Sequence, residues 1–276
     1  MNHVKTATDK INELAEVENN NFLSGLQDLA SELHAFDELE QLYIALWDQI
    51  RKVLTKKDAQ TYRAVMNCYQ LMQLDLIKGV LSVCRGYLKD TDFHTRRVIE
   101  SVAIIIEVMK DPKNALIWNS LASEEDRKKY IKKFPAYRLV QDNLSPYVEE
   151  IYKHLCLYVH PSFGTVAGRG SFSENSHNLN IFDVMEKEDV PNQRKHLLYL
   201  LQIHVTMLKD LAQAFVSDAE FDQVLWQTSC KQYQENQVQH FQRLLDSGML
   251  PELNKNILDF QAEKAALDNR KDEIAE

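Results

Sequence analysis

Between Tyr62 and Tyr87, the residues Tyr62, Val65, Met66, Tyr69, Met72, Leu76, Ile77, Val80, Val83, Cys84 and Tyr87 recur three and four apart through seven turns. A stripe of that period belongs on one face of a helix, because a half-buried strand would alternate at every second position. Asp58 stands where an N-cap is needed, so the pattern predicts a helix from about 58 to 88. Cys68, Gly79 and Gly86 fall on its flank, where small side chains would let a neighbouring helix come close. Seven glycines and six prolines in 276 residues are too few for a strand-and-turn architecture of this length. The fold class expected is therefore all-α, a multi-helix bundle.

Three further helices complete the expected centre. Thr95 to Lys110 ends at Asp111-Pro112 and carries one apolar side (Val98, Ile99, Val102, Ile105, Ile106, Met109) and a second (Ile104, Val108). Arg96, Glu100, Ala103 and Glu107 project outward, whereas Arg97 and Ser101 share the second apolar side. An arginine there either carries its guanidinium to the surface or meets a buried anion. Ser145 and Pro146 start a helix that Pro161 ends, with Val148, Ile151, Tyr152, Leu155, Tyr158 and Val159 on its core side. Pro191 begins a buried helix reaching Phe215, and His204 in its central stripe reads as a hydrogen-bonded core residue.

Around this core, set at 58–215, the pattern places peripheral N-terminal helices over 8–56: two short ones broken at Asn19-Asn20-Asn21, then one capped by Asp37. Short helical pieces at 114–121, 124–134 and 136–142 carry Lys128, Lys129, Lys132 and Lys133 as a solvated face. A C-terminal helical extension covers 218–276, its last, charged helix running from Pro251. Asn178 to Val184 alternates like a short extended segment. The expectation is a single helical domain over 1–276.

With 45% hydrophobic and 26% charged residues the composition is that of a soluble globular protein. A formal charge of −9 repels a polyanion on average, which leaves only a local patch for a short RNA or a nucleotide. Four cysteines with no CxxC pair fit reduced thiols. The N-terminus shows no apolar signal-peptide core, and the most apolar window, Leu197 to Phe215, is interrupted by Gln202, His204, Lys209 and Asp210. The expected location is cytoplasmic, with no membrane partner.

The densest chemistry lies where the Pro146 helix meets a glycine loop. Glu149, Lys153, Cys156 and His160 line up on one side of that helix, while His154 projects elsewhere, so no metal-ligand set converges and neither metal nor cofactor is assigned. After Pro161 come about eighteen residues without helical period, holding Gly164, Gly168 and Gly170. Neither GxxxxGK[ST] nor GxGxxG is present. Backbone N–H groups around Ser162, Gly168 and Gly170, with Arg169 and Lys153, would suit an anion, and a plain linker is the other reading.

At Arg97-x-x-Glu100 and Tyr152-x-x-Leu155-Cys156-x-x-Val159-His160-Pro161 the chain resembles uncharacterised all-helical bacterial proteins loosely related to the HEPN superfamily. These carry an Arg-x-x-x-Glu-like helix followed by a Tyr-x-x-Leu-Ser-x-x-x-His-Pro element, and the resemblance spans roughly residues 60 to 215. It implies a helical bundle, frequent homodimers, a setting in bacterial stress or phage defence, and binding of RNA, a nucleotide or a protein partner. In active members it implies a metal-independent ribonuclease using Arg and His four to six residues apart. Here Lys153 stands at the far limit of that spacing before His160, so the arginine would be Arg97 or Arg169. His160, Arg97 and Glu100 are then the catalytic candidates, and an acid such as Glu100 is expected to meet Arg97 close to His160.

Overall fold

The computed structural model describes residues 7–120, 122–159 and 190–246, and every element among them is an α-helix. In chain order these are α1 (Ala7–Asp28), α2 (Ala30–Leu54), α3 (Ala59–Cys84), α4 (Leu88–Lys110), α5 (Pro112–Asn119), α6 (Glu124–Lys133), α7 (Ala136–Asn143), α8 (Pro146–Val159), α9 (Val190–Gln213) and α10 (Gln223–Asp246). Two compact units are formed, Met1–Ser229 and Cys230–Glu276, and the bundle described below is the first. Among the described residues no helix is long and apolar enough to cross a membrane.

The central pair is α3 and α4, an antiparallel hairpin packed along its length. Asp58 caps α3 as its position demands, accepting from the backbone N–H groups of Gln60 and Thr61. The helix ends at Cys84, short of the expected 88. Gly86 takes a φ of 81°, its N–H donates to Val83 O at 2.9 Å, and the N–H of Tyr87 donates to Ser82 O at 2.8 Å. That pair of bonds is a Schellman ending, which favours glycine in the left-handed conformation. Gly86 therefore turns the chain rather than lining a flank, and the tight reversal lets α4 start at Leu88 instead of Thr95. Thr91 Oγ1 donates to Gly79 O at 3.2 Å and closes the hairpin.

Against this hairpin pack α8 and α9, and the shared core includes Val65, Tyr69, Met72, Val98, Ile99, Val102, Val148, Leu201 and Leu208. The N-terminal helices are more central than their sequence suggests. In α2, Leu39, Tyr43, Leu46, Ile50 and Val53 are wholly or almost wholly buried. Asp37 lies inside this helix rather than capping it, and α1 runs unbroken through Asn19-Asn20-Asn21, since three asparagines cost a helix only a few tenths of a kcal/mol each relative to better formers. The break comes at Leu29, which is fully buried. The short helices 114–121, 124–134 and 136–142 are found as α5, α6 and α7, with Asp111 capping α5 and Pro112 in its first turn.

One glycine does permit the close helix approach anticipated on α3, but it lies on α1. A Cβ built on Gly25 would stand 2.1 Å from Cys84 O, a backbone atom that cannot swing aside, whereas a Cβ on Gly79 would meet Leu200 Cδ2 at 3.5 Å, an ordinary contact. Gly25→Ala is expected to destabilise by about 1–3 kcal/mol through overpacking, overriding the gain of roughly 1 kcal/mol in helix propensity. Gly79→Ala should be neutral or stabilising. Urea midpoints of the two variants check this: equal midpoints would mean that α1 can move away from α3 freely.

Candidate functional site: a guanidinium seam between α4 and α8

Successive residues on a helix point about 100° apart, so the adjacent arginines of α4 enter different flanks. Arg96 turns toward α8. Its Nε donates to Glu100 Oε1 at 2.9 Å one turn on, and Tyr152 Oη, from α8, donates to the same oxygen at 2.7 Å. The guanidinium carbon lies 5.6 Å from the centre of the Tyr152 ring, a cation–π distance. Tyr152 is 2% exposed, while the Arg96 and Glu100 side chains keep 20% and 25% of their surface open. The terminal nitrogens of Arg96 have no protein partner among the described residues.

These contacts fix the protonation states. Burial works against the charge on Arg96, but Glu100 beside it, with Tyr152, outweighs burial and raises its pKa. Burial, then Glu100, pushes the Tyr152 phenol well above its ordinary range. Tyr152 is therefore a proton donor in a fixed hydrogen bond rather than a base, and Glu100 has the lone pairs of Oε1 committed to two donors. Cys156, one turn beyond Tyr152 on α8, also acts electrostatically on Arg96. The seam can present a rigid cation to an anion.

The face of α4 expected to point outward is in fact covered. Ala103 is fully buried, and Glu107 accepts from Lys133 Nζ of α6 at 2.8 Å and lies 3.3 Å from Lys110 Nζ. Lys133 thus folds inward, leaving Lys128, Lys129 and Lys132 on the exposed surface of α6.

Arg97 does not meet Glu100. Its Nε lies 3.3 Å from Oδ2 of Asp75 on α3, a carboxylate only 1% exposed, while 40% of the arginine side chain remains open. Both sequence alternatives hold at once: the residue neutralises a buried anion and still brings its tip to the surface. The same Asp75 receives His94 Nδ1 on Oδ1 at 2.9 Å. Sequence reasoning missed Asp75 and His94. The available signal was an acid inside the α3 stripe, between Met72 and Leu76, where a buried partner is required.

Lys153 stays outside the seam, 3.0 Å from the half-buried Glu149 and 3.4 Å from the exposed Glu150. His160, Ser162, Gly168, Arg169 and Gly170, with the alternating 178–184 segment and the helix expected from Pro251, lie outside the described residues.

No protein-family model, curated protein or solved structure matches this chain.

Proposed function

We propose that this chain is a HEPN-like helical module that binds a nucleotide or a short RNA strand through phosphate at the α4–α8 seam. The observation that supports it is the Arg96 guanidinium, held between Glu100 and the Tyr152 ring with its terminal donors unpaired among the described residues. A guanidinium so oriented keeps a planar pair of N–H groups for a phosphate and has given up its side-chain freedom in advance. With a net charge of −9 the attraction is local, which favours a short ligand over a long polyanion. His160 and the Gly164, Gly168 and Gly170 segment follow α8 directly in the chain, so backbone donors belong to the same stretch of sequence.

The test is the affinity of a 5′-labelled single-stranded RNA oligonucleotide, followed by fluorescence anisotropy at two salt concentrations with ATP as competitor. Arg96→Lys keeps the charge beside Glu100 but loses the planar fork. It should weaken binding about tenfold or more, the value of one charge-assisted hydrogen bond, with the thermal midpoint nearly unchanged. Wild-type affinity in this variant would remove the seam as the phosphate site. RNA cleavage in EDTA that His160→Ala lowers about a hundredfold would instead make the protein a metal-independent ribonuclease.

A further inference from the structure

On the opposite flank of α4 from the seam, three side chains form a second polar group that the proposed function does not use. We propose that His94 is a phosphoacceptor, modified on Nε2 by small phosphoryl donors of the phosphoramidate or acyl phosphate class, with Arg97 holding the transferred group. The structure supplies the parts. A carboxylate can only accept, so Nδ1–H of His94 donates to Asp75 Oδ1 at 2.9 Å, which leaves the lone pair on Nε2. The His94 side chain is 16% exposed, and its Nε2 has no partner among the described residues.

Arg97, three residues on, shares that face of the helix. Its Nε lies 3.3 Å from the other oxygen of Asp75, an ion pair without a hydrogen bond, and its terminal nitrogens carry no protein partner among the described residues. The guanidinium carbon lies 5.7 Å from the centre of the Phe93 ring, which is itself 42% exposed and meets the His94 ring edge-on at 5.5 Å between centroids. One buried carboxylate thus positions both a nitrogen nucleophile and a phosphate-binding fork at the surface.

The step balances without a metal or an oxidant. The Nε2 lone pair attacks phosphorus, the donor's bond from phosphorus to nitrogen or to the acyl oxygen breaks, and ammonia or a carboxylate leaves. The new Nε2–P bond makes the ring cationic because Nδ1 keeps its proton. Asp75 faces that proton, so the charge that develops is met by an oriented, desolvated anion, while Arg97 faces the phosphoryl oxygens. Acting through the His94 ring and Arg97 and touching neither donor nor phosphoryl group, Asp75 is a positioning residue.

The experiment incubates the full chain with potassium phosphoramidate and, separately, acetyl phosphate. Adducts are followed by intact mass and phosphorus NMR and located by peptide mapping under alkaline conditions that preserve N–P bonds. One phosphoryl group is expected, on His94, with the exposed His34 and His154 as internal controls that label far more slowly. His94→Gln, which can still donate to Asp75, should abolish the adduct, and Arg97→Ala should slow its formation roughly tenfold or more. Labelling spread evenly over His34, His94 and His154 would overturn the proposal, as would no adduct with either donor. Because the map is made on the wild-type chain, the result stands even where a variant fails to fold.

Discussion

Arg194→Ala is expected to lower folding stability by about 3–5 kcal/mol, the cost of leaving a buried charge unpaired. Arg194 lies near the start of α9, with its Nε 2.5 Å from Oε1 of Glu32 on α2; the glutamate side chain is fully buried and the arginine only 11% exposed. Ser31 Oγ donates to the other carboxylate oxygen at 2.8 Å, and Arg194 Nη2 donates to the backbone oxygen of Asp28 at 3.1 Å. Next to it, Gln193 Nε2 donates to Val83 O at 3.0 Å, so α9 enters the bundle clamped to both the α1–α2 junction and the end of α3. Domains of this kind have only about 5–15 kcal/mol in total, so the loss should shift the urea midpoint by a large fraction of its value. Converting both residues to leucine should cost far less, because no charge is then stranded. A single variant within about 1 kcal/mol of wild type would show that water reaches Glu32 and that the pair is not sealed.

Periodicity made the long helices legible because it reports burial directly. The α3 stripe, the Asp58 cap and the Ser145-Pro146 start of α8 each combine a repeating apolar face with a local stop or start signal, and the structure has all three, except that Ile77 of the stripe is 39% exposed. Where two local readings compete, tertiary contacts decide. Gly86 carries the same absent side chain whether it lines a packing flank or takes a positive φ, and only the Schellman bonds distinguish the two. Both Arg96 and Arg97 lie within reach of Glu100 by spacing, at four and three residues. Arg97 goes to Asp75 because the neighbouring helix presents a buried carboxylate there, and Arg96 is left for Glu100 and Tyr152. A polar face also looks alike whether it meets water or other polar side chains, which is why Arg96, Glu100 and Glu107 read as solvated when α6 and α8 cover them. Glu32 offers no signal of that kind, since its partner lies 162 positions away in the sequence, from residue 32 to residue 194.

Lowering the pH from 6.5 to 5 should cost the wild-type fold about 2 kcal/mol through His204 alone, and about 3 kcal/mol by pH 4. His204 is fully buried on α9, and its Nδ1 pairs with Tyr43 Oη of α2 at 2.7 Å; the Tyr69 hydroxyl in turn donates to Tyr43 O at 2.6 Å. Its Nε2 has no hydrogen-bond partner among the described residues, so a second proton on the ring would make a buried, unsatisfied cation. Burial accordingly pulls the pKa down to about 3 from an ordinary 6.5. The sign follows from proton counting: between those two values the unfolded chain binds a proton that the folded chain refuses, so acid favours unfolding. The contribution is fully present above pH 6.5 and is lost at about 1.4 kcal/mol per unit as the pH falls toward 3. Other groups titrate in the same range, which a His204→Leu, Tyr43→Phe double variant subtracts. That variant removes the ring and the hydroxyl it would otherwise strand, so it should be the less stable protein at pH 7 through imperfect packing yet show a flatter pH profile. Urea titrations of both proteins at half-unit steps from pH 7 to 4 give the difference directly, and parallel curves would mean that His204 takes its proton inside the fold at little cost.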